Sequence, residues 1–306
     1  TELFHRIFNV KGNVASDSGN WNLPFTGRTE EIYRISECLT GSGRWQCPQC
    51  VAIGGEEGVG KSALLEKTRQ MVKGYQMISL HAACYKDETE FFLRPWNDIF
   101  WEIEQCMENG LLERDITDDE RGKLKKVLKG LLSEGSEKMG RLTYQIMEQS
   151  VLEMFRRIAQ QHKVVLFFDD IQYMDQMSFQ LLNRVLLTIG TDRLLLVCTY
   201  SQDSDTKVME ALEKLMKKDC LQVIALNSFT RKEADELLHR YLPQLDKEEE
   251  KRENIYQMTD GNAFFLMELM NLIKEKGYTL EISPKTTNVI KARLAEIPES
   301  ENEVLE

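Results

Sequence analysis

The sequence predicts an α/β fold: a parallel sheet with flanking helices, followed by a smaller helical lid. Three observations lead there. Apolar runs alternate with amphipathic segments of helical period, the pattern of parallel strands joined by helical crossovers. A glycine-rich loop joins the first apolar run to a helical segment. After Leu226 the strand-like runs stop and helical pattern alone continues.

Residues 1–23 carry turn-forming Gly12, Asn13, Ser16, Asp17, Ser18, Gly19 and Asn20 and read as an arm or linker. Thr29 suits a helix N-cap, with Glu30 and Glu31 in the first turn and Ile32 and Ile35 at helical spacing. Cys50–Ile53 is the first strand, and 76–83 reads as the next. Residues 88–108 are aromatic-rich and helical in pattern, with Phe91, Phe92, Trp96, Ile99, Phe100 and Trp101 expected in the core. Residues 109–142 are charged and glycine-bearing, a surface excursion. Their lysines 123, 125, 126 and 129 read as a solvated face. A helix over 142–160 leads to Val164–Phe168, a continuous apolar run of the kind a buried parallel strand shows. Helices over 178–189 and 208–216 alternate with strands over 194–198 and 221–226. Helices over 230–242 and 254–276 make the lid. The chain therefore divides into an arm (1–23), a sheet domain (24–226), a lid (227–283) and a further segment (284–306). No initiator Met opens it, and Glu299–Glu306 halts within a helical pattern, so the sequence reads as a piece of a longer chain.

The strongest chemical signal is Gly55-Glu56-Glu57-Gly58-Val59-Gly60-Lys61-Ser62, which matches G-x-x-x-x-G-K-[ST] at every fixed position. Glycines let the backbone curl around phosphate oxygens and present successive N–H groups, and the following helix adds its positive end. Gly55, Glu57, Gly58, Val59, Gly60, Lys61, Ser62 and Ala63 are therefore candidate nucleotide-binding residues. Lys61 places a point charge on the outer phosphates, and the Ser62 hydroxyl is a candidate magnesium ligand. The flanking strand and helix separate this loop from a chance glycine-rich turn.

A second acidic group is needed at the tip of a parallel strand, and Asp169-Asp170 after Val164–Phe168 supplies it. Asp169 is the candidate metal ligand. Asp170 is the candidate catalytic group that orients or deprotonates water, alongside Lys61. The alternative, that these acids only cap the next turn, stays open.

Composition narrows the class. The formal net charge is -11 over 306 residues, whereas a surface built to neutralise nucleic-acid phosphates is normally basic. Seven cysteines at irregular spacing do not suggest a disulfide framework. No signal peptide or apolar span of about 18 residues or more occurs, and a cytoplasmic protein without a membrane partner is expected. Cys47-Pro48-Gln49-Cys50 lacks the second pair a zinc site needs. The four histidines are dispersed.

With Phe25–Arg28, the phosphate loop and Asp169–Asp175 in view, the chain resembles the signal-transduction NTPases of the AAA+ superclass, the STAND group. Within it the similarity is to the ATPase domains of large bacterial transcription regulators of the SARP and MalT kind, over about residues 24–300. The resemblance implies ATP or ADP with Mg2+ as ligands, ATP being preferred on this ground alone. It makes Phe25, Gly27 and Arg28 contacts to the adenine and ribose. It assigns Asp169–Ser178 to the extended acidic strand motif, and Thr259–Phe265 to a lid element that approaches the base. It also makes residues 284–306 the start of a winged-helix domain.

It implies a slow switch ATPase with nucleotide-dependent self-association, and DNA contacted by domains outside this stretch. Two departures matter. Ala263 stands where the family has proline. Ser201 stands where an arginine is thought to sense the γ-phosphate, which counts against efficient hydrolysis. In-trans arginines could come from Arg156, Arg157, Arg184 or Arg193. The competing readings are an origin-recognition type replication initiator and a nucleotide-binding scaffold without turnover.

Overall fold

A computed structural model describes residues 25, 27–41, 50–112, 141–189, 193–201 and 221–278, with 122 and 210 singly. In chain order the described elements begin with α1 (Thr29–Thr40), β1 (Cys50–Gly55), α2 (Lys61–Gly74), β2 (Ile78–Ala83) and α3 (Arg94–Glu108). Then come α4 (Arg141–Gln161), β3 (Val164–Asp169), α5 (Gln176–Thr188), β4 (Leu194–Ser201) and β5 (Leu221–Leu226). The helices α6 (Arg231–Tyr241), α7 (Glu249–Thr259) and α8 (Ala263–Lys276) follow. The strands form one parallel sheet in the order β2-β3-β4-β1-β5, the architecture the alternating pattern predicted.

Within the described residues the chain divides into two compact units. One holds residues 31–53 and 65–224; the other holds 25–30, 54–64 and 225–278.

In the first unit, β3 lies between β2 and β4, with Leu80, Leu166 and Leu196 in register. Every residue of β3 and of β4 is buried. That explains their unbroken apolar runs: a parallel strand covered on both faces has no side for polar residues. Trp96 anchors the core on α3, its ring centroid 5.9 to 6.1 Å from those of Phe100, Phe155 and Phe168. Its indole N–H donates to the Ser178 carbonyl at 3.1 Å, so the one polar atom of a fully buried ring is satisfied. The expected aromatic core is only partly realised. Ile99 and Phe100 are buried, but Phe91 and Trp101 are 62% and 61% exposed. Phe91 precedes the first turn of α3, and Trp101 falls off its buried stripe.

In the second unit, α6, α7 and α8 pack around Phe229, Leu237, Leu238, Ile255, Leu266 and Leu269. The single helix expected over 254–276 is two helices. Asp260 and Gly261 take left-handed φ of 48° and 68°, which stops α7. Asn262 then caps α8, its Oδ1 accepting from the Phe264 and Phe265 amides at 3.1 and 3.3 Å.

At α6, Thr230 and Glu233 form a capping box, each side chain satisfying the other's backbone N–H. Burial works against the charged form of Glu233. The Thr230 amide and hydroxyl, and the charge of Arg28, nevertheless hold its pKa below the ordinary carboxylate value. Thr230→Ala is expected to cost about 1 kcal/mol at neutral pH. Because the folded pKa of Glu233 is depressed, its share of this stability is present above its unfolded pKa and fades as pH falls through the folded one. Denaturant titrations of both proteins at neutral and acid pH would show the gap narrowing in acid.

The arm, the helix expected over 208–216, most of the excursion at 109–142 and residues 284–306 lie outside the described residues.

Candidate functional site

The phosphate loop is built where β1 hands the chain to α2. Gly58 and Gly60 adopt φ of 73° and 99°, a region open to glycine and strained for other residues. Gly55 is required for another reason: a Cβ there would lie 2.4 Å from the Leu226 carbonyl oxygen.

Each carbonyl of the loop from Gly55 to Gly60 accepts a hydrogen bond. The Lys61 ammonium donates to Gly55 and Glu56 at 3.0 and 2.9 Å. Asn262 Nδ2 donates to Glu57 at 2.8 Å. The Phe264 amide donates to Gly58 at 2.9 Å. Arg28 Nη2 donates to Val59 at 3.2 Å. The Leu64 amide donates to Gly60 at 3.0 Å, opening α2. The helix begins at Lys61, so the amides of Lys61, Ser62 and Ala63 lie in its first turn, where no carbonyl of the same helix can reach them. Lys61 is 8% exposed, and its ammonium faces the carbonyl dipoles of Gly55 and Glu56. Ser62 and Ala63 are half-buried and Glu57 is exposed.

Arg28 is buried and tied to protein groups. Besides Val59, its Nη2 donates to the Asn227 carbonyl at 2.6 Å, and its guanidinium carbon lies 4.3 Å from the Phe229 ring centroid. Gly27 and Arg28 both take positive φ, 77° and 60°. This turn aims the guanidinium at the loop and at the chain leaving β5. Phe25 is half-buried.

The acidic constellation belongs to the other unit. Asp169 closes β3 and is buried, and the Thr199 hydroxyl donates to its Oδ1 at 2.5 Å. The same hydroxyl oxygen accepts from the Asp170 amide at 2.8 Å. Asp170 is left-handed, φ 53° and ψ 53°, a conformation Asp tolerates better than most residues. Its Oδ1 accepts from Gln172 Nε2 at 3.2 Å, and Gln172 Oε1 accepts from the Ser201 amide at 3.3 Å. Thr199 and Gln172 thus hold the acid pair from either side.

Sequence reading did not single out Gln172. The available signal was its place two residues beyond Asp170, in a tight 3-10 turn over Ile171–Tyr173. Asp175, further along the acidic motif, is the N-cap of α5, accepting from the Met177 and Ser178 amides at 3.1 and 2.9 Å. Cys84 lies beside these acids. Burial first, then the charges of Asp170, Asp169 and Asp175, push its thiol well above the usual range and keep it neutral.

Among the described residues no group of three or more His, Cys, Asp or Glu side chains is placed to hold a metal ion by itself. Cys50 is buried in β1, and Cys47 lies outside the described residues. No described helix is long and apolar enough to cross a membrane.

Comparison with known proteins decides the family. The profile of the AAA ATPase domain matches residues 24–197, more than half of the chain. The chain belongs to the AAA ATPase domain family. Among solved structures, the ORC2 protein of Aeropyrum pernix in its ADPNP-ADP complexes is similar to this AAA domain at a TM-score of 0.52 and 13% identity. That match covers 88% of this chain and 70% of that one. The ADP form of the same protein gives 0.51 and 13%, over 93% and 71%. At such identity the likeness shows the fold. No curated protein matches the sequence.

Proposed function

We propose that this AAA ATPase domain binds ATP and ADP with magnesium and acts as a slowly hydrolysing switch. We place it in a multidomain signal-transduction ATPase of the STAND group, of the kind found in bacterial transcription regulators. The observation that carries the reading is the phosphate loop. Its carbonyls are engaged by protein donors, and Lys61 stands ready to exchange two neutral carbonyl acceptors for charged phosphate oxygens.

The residues present suit magnesium, since the Ser62 hydroxyl and the Asp169 carboxylate are hard oxygen donors. When bound, the ion neutralises charge on the outer phosphates. Lys61 holds the same phosphates from the loop. Asp170, braced by Gln172 and Thr199, orients an attacking water and accepts its proton. Phe25, Gly27 and Arg28 are proposed for the base side, with Arg28 acting through its hold on Val59. Residues 24–226 form the nucleotide-binding part and 227–283 the lid. ATP favours self-association, and DNA is contacted by other parts of a longer protein.

Mass analysis of nucleotide carried through purification, followed by calorimetry with magnesium ATP, ADP and GTP, tests this. The expected result is binding that weakens when magnesium is chelated, with slow single-turnover hydrolysis. The absence of both binding heat and trapped nucleotide would refute it. The origin-recognition reading is separated by titrating duplex DNA at two salt concentrations. The net charge of -11 predicts weak binding there.

A further inference from the structure

Three consecutive carbonyls of the phosphate loop, those of Glu57, Gly58 and Val59, are held from outside the loop. The donors are Asn262 Nδ2 at 2.8 Å, the Phe264 amide at 2.9 Å and Arg28 Nη2 at 3.2 Å. A trans peptide is planar, and its C=O and N–H point in opposite directions. Holding the oxygens of Glu57, Gly58 and Val59 therefore turns the amides of Gly58, Val59 and Gly60 the other way. Those are the amides a phosphate-binding loop must present together. The glycines that make the curl possible also leave it soft, because Gly58 and Gly60 have the widest backbone freedom of any residue. Something outside the loop has to select the shape.

Asn262 is built for both ends of this task. Its Oδ1 faces two N–H donors, of Phe264 and Phe265, and caps α8. Its Nδ2 faces the Glu57 carbonyl. The approach is close: a Cβ on Gly58 would lie 2.7 Å from Asn262 Oδ1 and 3.0 Å from Phe264 Cβ. Aspartate could cap α8 equally well but has no hydrogen to give Glu57. The two roles can therefore be separated by exchanging one atom.

We propose that Asn262 is a positioning residue for the phosphate loop, by which the start of lid helix α8 fixes the loop in its phosphate-accepting shape without touching the nucleotide. This rests on the nucleotide-binding reading above. It makes lid position and phosphate affinity two expressions of one contact. Whatever draws α8 away from Glu57 and Gly58 loosens the loop, and bound phosphate, by ordering the loop, holds α8 in place.

Asn262→Asp tests it. Nucleotide-free natural and variant proteins are melted, then titrated with magnesium ADP and magnesium ATP at low and at high salt. The variant is expected to melt no more than a few degrees below the natural protein, since one hydrogen bond is lost while the α8 cap is kept, and to bind both nucleotides about fivefold more weakly. The loss should persist at high salt, where repulsion between the new carboxylate and the ligand is screened. Equal affinities would overturn the proposal. So would a loss confined to low salt, or one accompanied by a fall in melting temperature as large as Asn262→Ala produces by removing the α8 cap as well. If the natural protein gives no heat with either nucleotide, the nucleotide reading itself fails, which is a different result from equal binding by both.

Discussion

Lys61→Ala is expected to weaken magnesium ATP binding by at least about a hundredfold and to remove any hydrolysis. The estimate follows from the two bonds its ammonium makes in the structure, to the Gly55 and Glu56 carbonyls. On binding, those neutral acceptors give way to phosphate oxygens, and a hydrogen bond between charged partners contributes roughly 1.5–3 kcal/mol. Two such bonds correspond to a hundredfold or more, since about 1.4 kcal/mol is a factor of ten. The substitution also leaves two carbonyls without this donor, so a modest fall in stability is expected beside the loss of binding. Lys61→Arg separates charge from shape. A guanidinium keeps the charge but presents a planar fork in place of a compact ammonium, and intermediate binding is expected. Calorimetry on the three proteins decides the matter. Natural affinity in Lys61→Ala would mean that the loop does not hold the phosphates.

The loop was legible in the sequence because its requirements fall on residue types. Curling a backbone around phosphate needs glycine at fixed places, and the charge needs lysine. Asp169 and Asp170 were legible for a similar reason, as acids that interrupt an apolar run at a strand's end. What holds these groups was less legible, because the partners are mostly backbone atoms. Arg28 reads in sequence as a motif arginine, yet its donors end on the Val59 and Asn227 carbonyls, which no side-chain pattern encodes.

Thr199 meets Asp169 only because β4 runs beside β3 with Phe168 opposite Cys198, a register fixed by tertiary packing. The break between α7 and α8 was hidden by apolar residues that keep helical spacing across it. It is set by backbone conformation at Asp260 and Gly261. Trp101 and Phe91 show the converse error, in which aromatic character was taken for burial although neither sits on the inward stripe of α3.

Gly261→Ala is expected to destabilise the lid unit by about 3 kcal/mol or more, in the range reserved for backbone strain and severe overlap. Two costs combine. At φ +68° an alanine carries left-handed strain of roughly 1 kcal/mol. Its Cβ would also stand 2.1 Å from the Phe229 carbonyl oxygen and 3.1 Å from the carbon behind it. Neither atom can swing aside as a side chain would. The two segments are bound at this point, the Phe229 amide donating to the Gly261 carbonyl at 2.7 Å, so relief requires residues 229 and 261 to part.

Two other glycines calibrate the result. Gly277 has φ +75° and ψ 164° with nothing within 4 Å of its would-be Cβ, so Gly277→Ala should show the strain of a glycine-only backbone conformation without any overlap. Gly74, at the end of α2, also has open space and no positive φ, and Gly74→Ala should be neutral or slightly stabilising. Amide hydrogen exchange over residues 229–276 reads the lid directly, apart from the sheet unit. Exchange in Gly261→Ala should rise far above that in Gly277→Ala. Equal exchange in the two would show that the close approach of Phe229 and Gly261 contributes nothing to the lid. Because Phe229 also lies beneath the Arg28 guanidinium, the same variant should loosen Arg28 from Val59 and lower nucleotide affinity as well.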